Sequence, residues 1–282
     1  MTSDEVILRP TAPWWRIPWR EVFEYRELLW FMAKRNFTVS YKQTVLGPLW
    51  FVVGPLATTV VFTVVFGRIA KVSTDGTQPF LFYLGGTVLW NFFSACLNAA
   101  SGSLSSNVHL FSKVYFPRLV MPLASVLTCV PSLLLGLAIF AIVHGLFLLA
   151  GTPCPAVHPV RWLAIPLLAG QAALAGLGTG LLFAAATVKY RDLRFAIPII
   201  TRFWFYATPV VYPASYLRGT PALRWFGLNP MAPVVEAGRW ALLGTDFPDI
   251  GMVAIGIGVS IVLFLLGVII FTRVERTFVD SI

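Results

Sequence analysis

The feature that most constrains this chain is a set of uninterrupted apolar runs: Leu49–Ile69, Phe80–Ala100, Leu119–Ala150, Trp162–Val188, Phe195–Val211 and Gly251–Phe271. A helix needs about 20 apolar residues to cross a hydrocarbon core. Strands of a membrane barrel would be shorter and would alternate apolar with polar residues, and these runs do not alternate. Apolar residues make up 57% of the chain and charged ones only 12%, against roughly 25% charged in soluble domains. The chain therefore reads as an all-α integral membrane protein with six transmembrane helices.

Six crossings put both termini on one side, and Lys and Arg decide which, because positive loops stay cytoplasmic. With the N-terminus inside, fourteen of the 21 Lys and Arg residues fall on inner segments, six on outer segments, and Arg202 within a span. The expected topology is N-in and C-in, with a cytoplasmic tail and interface helix over 1–48, the membrane domain over 49–272 and a cytoplasmic tail over 273–282. The formal charge of +9 is then a topology and lipid-headgroup signal, since each juxtamembrane basic residue adds about 1 kcal/mol of attraction to an anionic leaflet. Nucleic-acid binding is not implied. Cys96, Cys129 and Cys154 fall in two spans and an outer loop, which suggests neither a disulfide framework nor a metal cluster. Residues 1–48 hold no apolar signal-peptide core, so the first span is expected to be its own insertion signal.

Between the Pro- and Trp-rich first 18 residues and the first span, Val22, Tyr25, Leu28, Leu29, Met32, Ala33 and Phe37 share one arc at 100° per residue. Arg20, Glu24, Glu27, Lys34 and Arg35 share the opposite one, while Arg26 and Phe31 break the pattern. This predicts an amphipathic helix lying along the membrane surface. The inner loop Ser105–Pro122 is short, mixed apolar and basic, and stopped by Pro117, as a small docked helix would be. Gly176 and Gly180 stand at a spacing that lets helices approach closely. The fifth run is short, contains Arg202 and carries Pro198 and Pro209, with Pro213 just beyond it. Residues 213–250 after it are half-apolar and rich in Pro. They predict short re-entrant or surface-lying helices on the outer side, because irregular backbone at membrane depth has to be covered by protein or by a water-filled path.

The chemistry of an enzyme is missing from the sequence. No acid lies within a span, His144 stands alone, and no G-x-x-x-x-G-K-[ST] occurs. An ion-coupled carrier would keep acids at the midplane, and a membrane-embedded transferase acting on lipid-linked sugars would need convergent acids or a His. That transferase and a channel without energy input are the alternatives to a transporter driven by another subunit. No cofactor or metal is expected on this chain.

Four separated segments, SYKQTVLGPLWFVVGPL, LFSKVYFPRLVMP, KYRDLRFAIPIITRFWFYATPVVYP and LNPMAPVVEAGRWALLG, resemble the permease subunits of polysaccharide-exporting ABC transporters, the type-two exporter superfamily. The similarity runs from about Glu24 to Phe278. It implies export of a lipid-linked (undecaprenyl diphosphate) polysaccharide across a bacterial inner membrane, with O-antigen first and capsule or teichoic acid as alternatives. It further implies two short re-entrant helices between spans five and six, and a homodimer bound to two cytoplasmic ATPase subunits that carry ATP and Mg. Carried onto this sequence, the ATPase-coupling residues are Lys34, Arg35, Asn107, Phe111, Lys113, Tyr115 and Arg118, and the outer gate holds Pro213, Asn229, Pro230, Glu236 and Arg239. A surface helix joined through Gly47–Pro48 directly to span one would pass a rigid-body push into the bundle.

A conduit for a hydrophilic polymer suits aromatic faces, which offer apolar area without holding hydroxyls tightly. The candidates are Trp50, Phe62, Phe66, Tyr83, Trp90, Phe93, Phe203, Trp204 and Tyr206, with Arg202 among them. Arg202 lies about 12 Å beyond Arg194 at helical rise, so it requires a partner or an aqueous path. An anionic group of the substrate and the carbonyls freed by Pro198 are both open. Glu236 and Arg239 are taken as a solvated pair on one helix face, with a gate-stabilising salt bridge as the alternative. Single-cysteine labelling in cells is expected to reach positions near Thr74 and Thr245 from outside and not those near Lys113 and Lys189. Outside labelling at Lys113 would overturn the topology.

Overall fold

The computed structural model describes residues 19–41, 50–104, 116–152, 159–217 and 219–279, and every regular element among them is helical. Gly47–Pro48, Cys154 and the coupling candidates Asn107, Phe111, Lys113 and Tyr115 lie outside the described residues. The amphipathic stretch forms α1 (Trp19–Glu24) and α2 (Arg26–Tyr41), and backbone hydrogen bonds of 3.0 Å from Tyr25 to Glu21 and from Leu29 to Tyr25 carry the helix through the joint. Then come α3 (Trp50–Phe62), which continues as a π-helix over Thr63–Ile69, α4 (Pro79–Gly102), α5 (Val120–Leu127) and α6 (Val130–Leu149). A 3₁₀ turn, Pro159–Ala164, leads into α7 (Ile165–Lys189), followed by α8 (Leu193–Ala207), the single turn α9 (Ala222–Trp225), α10 (Met231–Leu243) and α11 (Ile250–Val279).

Five stretches are long and apolar enough to cross a membrane: Trp50–Ile69, Pro79–Gly102, Val120–Leu149, Val160–Lys189 and Ile250–Val274. The run expected as a further span is helical only over the 15 residues of α8, about 22 Å at 1.5 Å per residue against a core of about 30 Å. The stop has a local cause. Pro209 disfavours helical geometry in the residue before it, and Thr208 is extended at φ −98°, ψ 142°. The third stretch is broken between α5 and α6, where Pro131 has no N–H to continue the ladder. Polar side chains re-satisfy the break: Thr128 and Cys129 donate to the Ser125 carbonyl, and Ser132 donates to that of Cys129.

Helix α4 is the axis of the bundle, buried along most of its length, with α3, α5, α6, α7 and α10 packed around it. The expected small-residue contact is real and has a defined partner. A Cβ on Gly176 would lie 2.9 Å from the Phe93 carbonyl oxygen, and one on Gly180 would lie 2.7 Å from that of Leu97, so both glycines seat α7 on α4. Gly178 faces the other way, where a Cβ would lie 2.5 Å from the Phe264 nitrogen of α11, and Gly267 returns the contact at 2.4 Å from the Gly178 oxygen. Helix α7 is thus held at backbone distance on two sides. Substituting Gly178 or Gly267 by Val is expected to lower the thermal midpoint of the purified protein by several degrees, because overpacking of this kind costs about 1–3 kcal/mol. Gly258→Ala, with open space around it, is expected to leave the midpoint unchanged, and equal midpoints for all three would refute the double contact.

The amphipathic arc of Tyr25, Leu28, Leu29, Met32 and Ala33 is covered by the chain itself, packing on Phe116, Val120, Met121 and Ala124 at the start of α5. Phe23, Trp30 and Phe31 are exposed on other faces, with Arg26 over the Phe23 ring at 5.4 Å.

Candidate functional site

The residues singled out for an outer gate fall into two groups at the two ends of α10, and the first centres on one buried charge. Arg239 is 1% exposed and lies on α10, against the N-terminal half of α4. Its Nη2 donates to the Val210 carbonyl at 2.7 Å, and its Nη1 donates to Glu236 Oε1 at 2.7 Å and to the Tyr212 carbonyl at 3.4 Å. The guanidinium stands 3.6 Å from the centre of the Phe82 ring. Gly86 makes the room, since a Cβ there would meet Arg239 Nη2 at 3.2 Å. The pair expected to be solvated is therefore largely withdrawn from solvent, with Arg239 buried and the Glu236 side chain 15% exposed: the extended segment after α8 folds over it, and Glu236 Oε1 also accepts the Ala214 N–H at 3.1 Å. The freed carbonyls exist because Pro209 and Pro213 keep that segment out of a helix. Arg239 Nε and the Tyr83 hydroxyl have no partner among the described residues.

Around this centre the loop before α4 and the segment after α8 are clasped together. Ser215 Oγ donates to Asp75 Oδ1 at 2.8 Å, and the Ser73 N–H donates to the Tyr216 hydroxyl at 3.1 Å. Buried Pro213 lies within the clasped segment. At the other end of α10, Asn229 joins three elements. Its Oδ1 accepts from Trp204 Nε1 at 2.9 Å and from the Met231 N–H at 3.1 Å, and its Nδ2 donates to the Ala207 carbonyl at 3.1 Å and to Thr208 Oγ1 at 2.8 Å. All four of its bonding positions are engaged. The buried Pro230 beside it accepts from Gln171 Nε2 of α7 at 3.4 Å.

The conduit candidates divide into two groups. Phe66, Phe62, Tyr83, Trp90, Phe93 and Trp204 form a connected chain of rings at centroid distances of 5.1–6.2 Å, and Phe205 links Phe62 to Trp90. Tyr83, Trp90 and Phe93 are buried within the single chain. Trp50, Arg202, Phe203 and Tyr206 are exposed, and the last three share one face of α8 with Phe195 and Ile199. Arg202 makes neither an ion pair nor a hydrogen bond to a carbonyl among the described residues. Of the coupling candidates, Lys34 and Arg35 are exposed on α2, and Arg118 lies two residues before α5, the helix that α2 packs on. Phe205, Asp75, Ser215 and Gly86 were not singled out from sequence. Phe205 lies between two aromatics that were, and the helical period alone would have set it apart from Phe203 and Tyr206.

Substituting Glu236 by Gln leaves Arg239 buried without its counter-charge and is expected to cost about 3–5 kcal/mol. The double substitution Glu236→Gln/Arg239→Met is expected to recover at least half of that loss. A double-mutant cycle on thermal midpoints reads the coupling, and additive losses would show that the two residues do not act as a unit.

The family model described as ABC-2 type transporter matches residues 27–243. The chain is 27% identical over 264 residues to the O-antigen export system permease protein RfbA of Myxococcus xanthus, covering 93% of this chain and 98% of that one. It is 25% identical over 256 residues to an identically named protein of Klebsiella pneumoniae, covering 90% and 94%. To the polysialic acid transport protein KpsM of Escherichia coli it is 23% identical over 212 residues, covering 74% and 78%.

Proposed function

Since the chain belongs to the ABC-2 type transporter family, we propose that it is the membrane permease of an ATP-driven exporter that carries a lipid-linked polysaccharide out of the bacterial cytoplasm. O-antigen is the first candidate cargo. The observation that carries this reading is the match to nearly the whole length of a relative named as an O-antigen export permease. The polysialic acid relative supports a second cargo, capsular polysaccharide, on the same machinery.

In this proposal α8 and the extended residues up to Pro213 complete a sixth crossing of the inner membrane, with both termini inside. The segment from α9 to α10 dips in from the outer side and returns. Supporting the dip, α10 runs antiparallel to the outer half of α4, with Gly238 against Leu89 and Arg239 against Gly86, while Asn229 at its foot meets Trp204 beside Phe93. A second copy would cover α3, whose apolar window is only 6% buried in the single chain, and the exposed face of α8. The polymer would then pass between the copies, along Trp50, Arg202, Phe203 and Tyr206. Two ATPase subunits would dock below α2 and the 107–118 loop. The packing of α2 on α5 supports this coupling, since a push on either element reaches span three directly.

Tyr206→Ala and Arg202→Ala are expected to lower surface polymer at least tenfold while co-purification with the ATPase subunit stays intact, and Arg202→Lys to retain part of the export because a point charge replaces a planar fork. Trp204→Ala is expected to reduce the amount of assembled protein, because it breaks the bond to Asn229. Normal export by both Ala variants on α8 would exclude its exposed face from the path.

A further inference from the structure

A cleft of about 320 Å³ opens between α3, α4 and α6, lined among others by Trp50, Phe51, Pro55, Asn91, Ser94 and Asn98. The last three recur at i, i+3 and i+7 and so share one face of α4. They begin about 18 Å and end about 28 Å below its outer end at helical rise, in the inner half of the bundle. Asn98 Nδ2 donates to the Ser94 carbonyl at 2.7 Å and to Ser94 Oγ at 3.3 Å, which leaves its Oδ1 free to accept. Asn91 is exposed and makes no hydrogen bond among the described residues. Ser132 lines the same cleft from α6.

Unpartnered amides at membrane depth are unfavourable, so an occupant with hydroxyls or water has to meet them. The occupant is not the diphosphate, since no Lys or Arg among the described residues lines the cleft. A hydrocarbon tail would suit Phe51 and Trp50 but leave the amides unmet. Neutral amides and hydroxyls beside aromatic rings are the chemistry that holds an uncharged sugar, its ring against the aromatics and its hydroxyls on the amides. The volume falls within the range of small-molecule sites, about 300–1,000 Å³.

We infer that this cleft is a binding site for uncharged sugar units of the cargo on the cytoplasmic half of the permease, separate from the exposed face of α8. The inference rests on the reading of the chain as a polysaccharide permease. In cells that make the polymer, with the whole transporter present, p-benzoylphenylalanine is placed at Phe51, at Tyr206 and at Leu146 on the lipid-facing side of α6, and irradiated. The probe is the cells' own glycan, detected by periodate staining of the purified chain. Glycan adducts are expected at Phe51 and Tyr206 and not at Leu146. Asn91→Leu and Asn98→Leu are each expected to remove the Phe51 adduct and lower surface polymer at least tenfold with the ATPase still co-purifying, while Asn91→Gln retains both. An adduct at Tyr206 alone overturns the cleft and leaves the permease reading standing, and no glycan at either position overturns both. A lipid adduct, a protein dimer or no adduct at Phe51 beside a glycan adduct at Tyr206, or normal export by both Leu variants, assigns the cleft to another occupant or to water and overturns the inference.

Discussion

One end of this helical bundle is organised around a guanidinium that has been taken out of water. A buried charge is tolerated only when its neighbours replace hydration, and Arg239 obtains that replacement from Glu236, from two carbonyls of the segment after α8 and from the face of Phe82. Those partners belong to three different parts of the chain. Segment 208–214 cannot lift, and α10 cannot slide along α4, without exposing or unpairing the charge. Segment and helix therefore behave as a single closed piece, clasped further by Asp75 and Ser215.

A second knot lies deeper, where Asn229 ends α8, starts α10 and holds the Trp204 indole. The chain of rings from Phe66 to Trp204 runs past it, so aromatic residues that would suit a sugar path serve largely to fasten α3, α4 and α8 together. Aromatic character alone does not separate these two uses. Burial does: the rings facing inward tie the helices, and the face of α8 with Arg202, Phe203 and Tyr206 stays uncovered in the single chain.

On the opposite side, α2 rests on the first turns of span three, and the break at Thr128–Cys129 lies only one helix beyond that contact. An element packed on a short, separately ended helix can move it without bending the remainder of the span. That arrangement follows from a single proline, Pro131, together with three side chains that satisfy the broken ladder.

Hydropathy and period were enough to read the all-helical membrane class, the long spans, the amphipathic period of Val22 to Ala33 and the closeness implied by Gly176 and Gly180, because each is a property of residues a few positions apart. The irregularity of the stretch after α8 was legible too, through its prolines. The state of Glu236 and Arg239 was not: three residues apart on a helix, they look like any surface pair, and only the folding of residues 208–214 over them makes them a buried centre. The amides of Asn91 and Asn98 had no meaning as isolated polar residues in an apolar run until α3 and α6 left a gap beside them. The sequence by itself determined which segments are helical and apolar. Which side chains are buried, which carbonyl meets which donor and where a cleft remains were decided by tertiary contacts between positions such as Phe62 and Phe205, far apart in the chain and brought together only by packing.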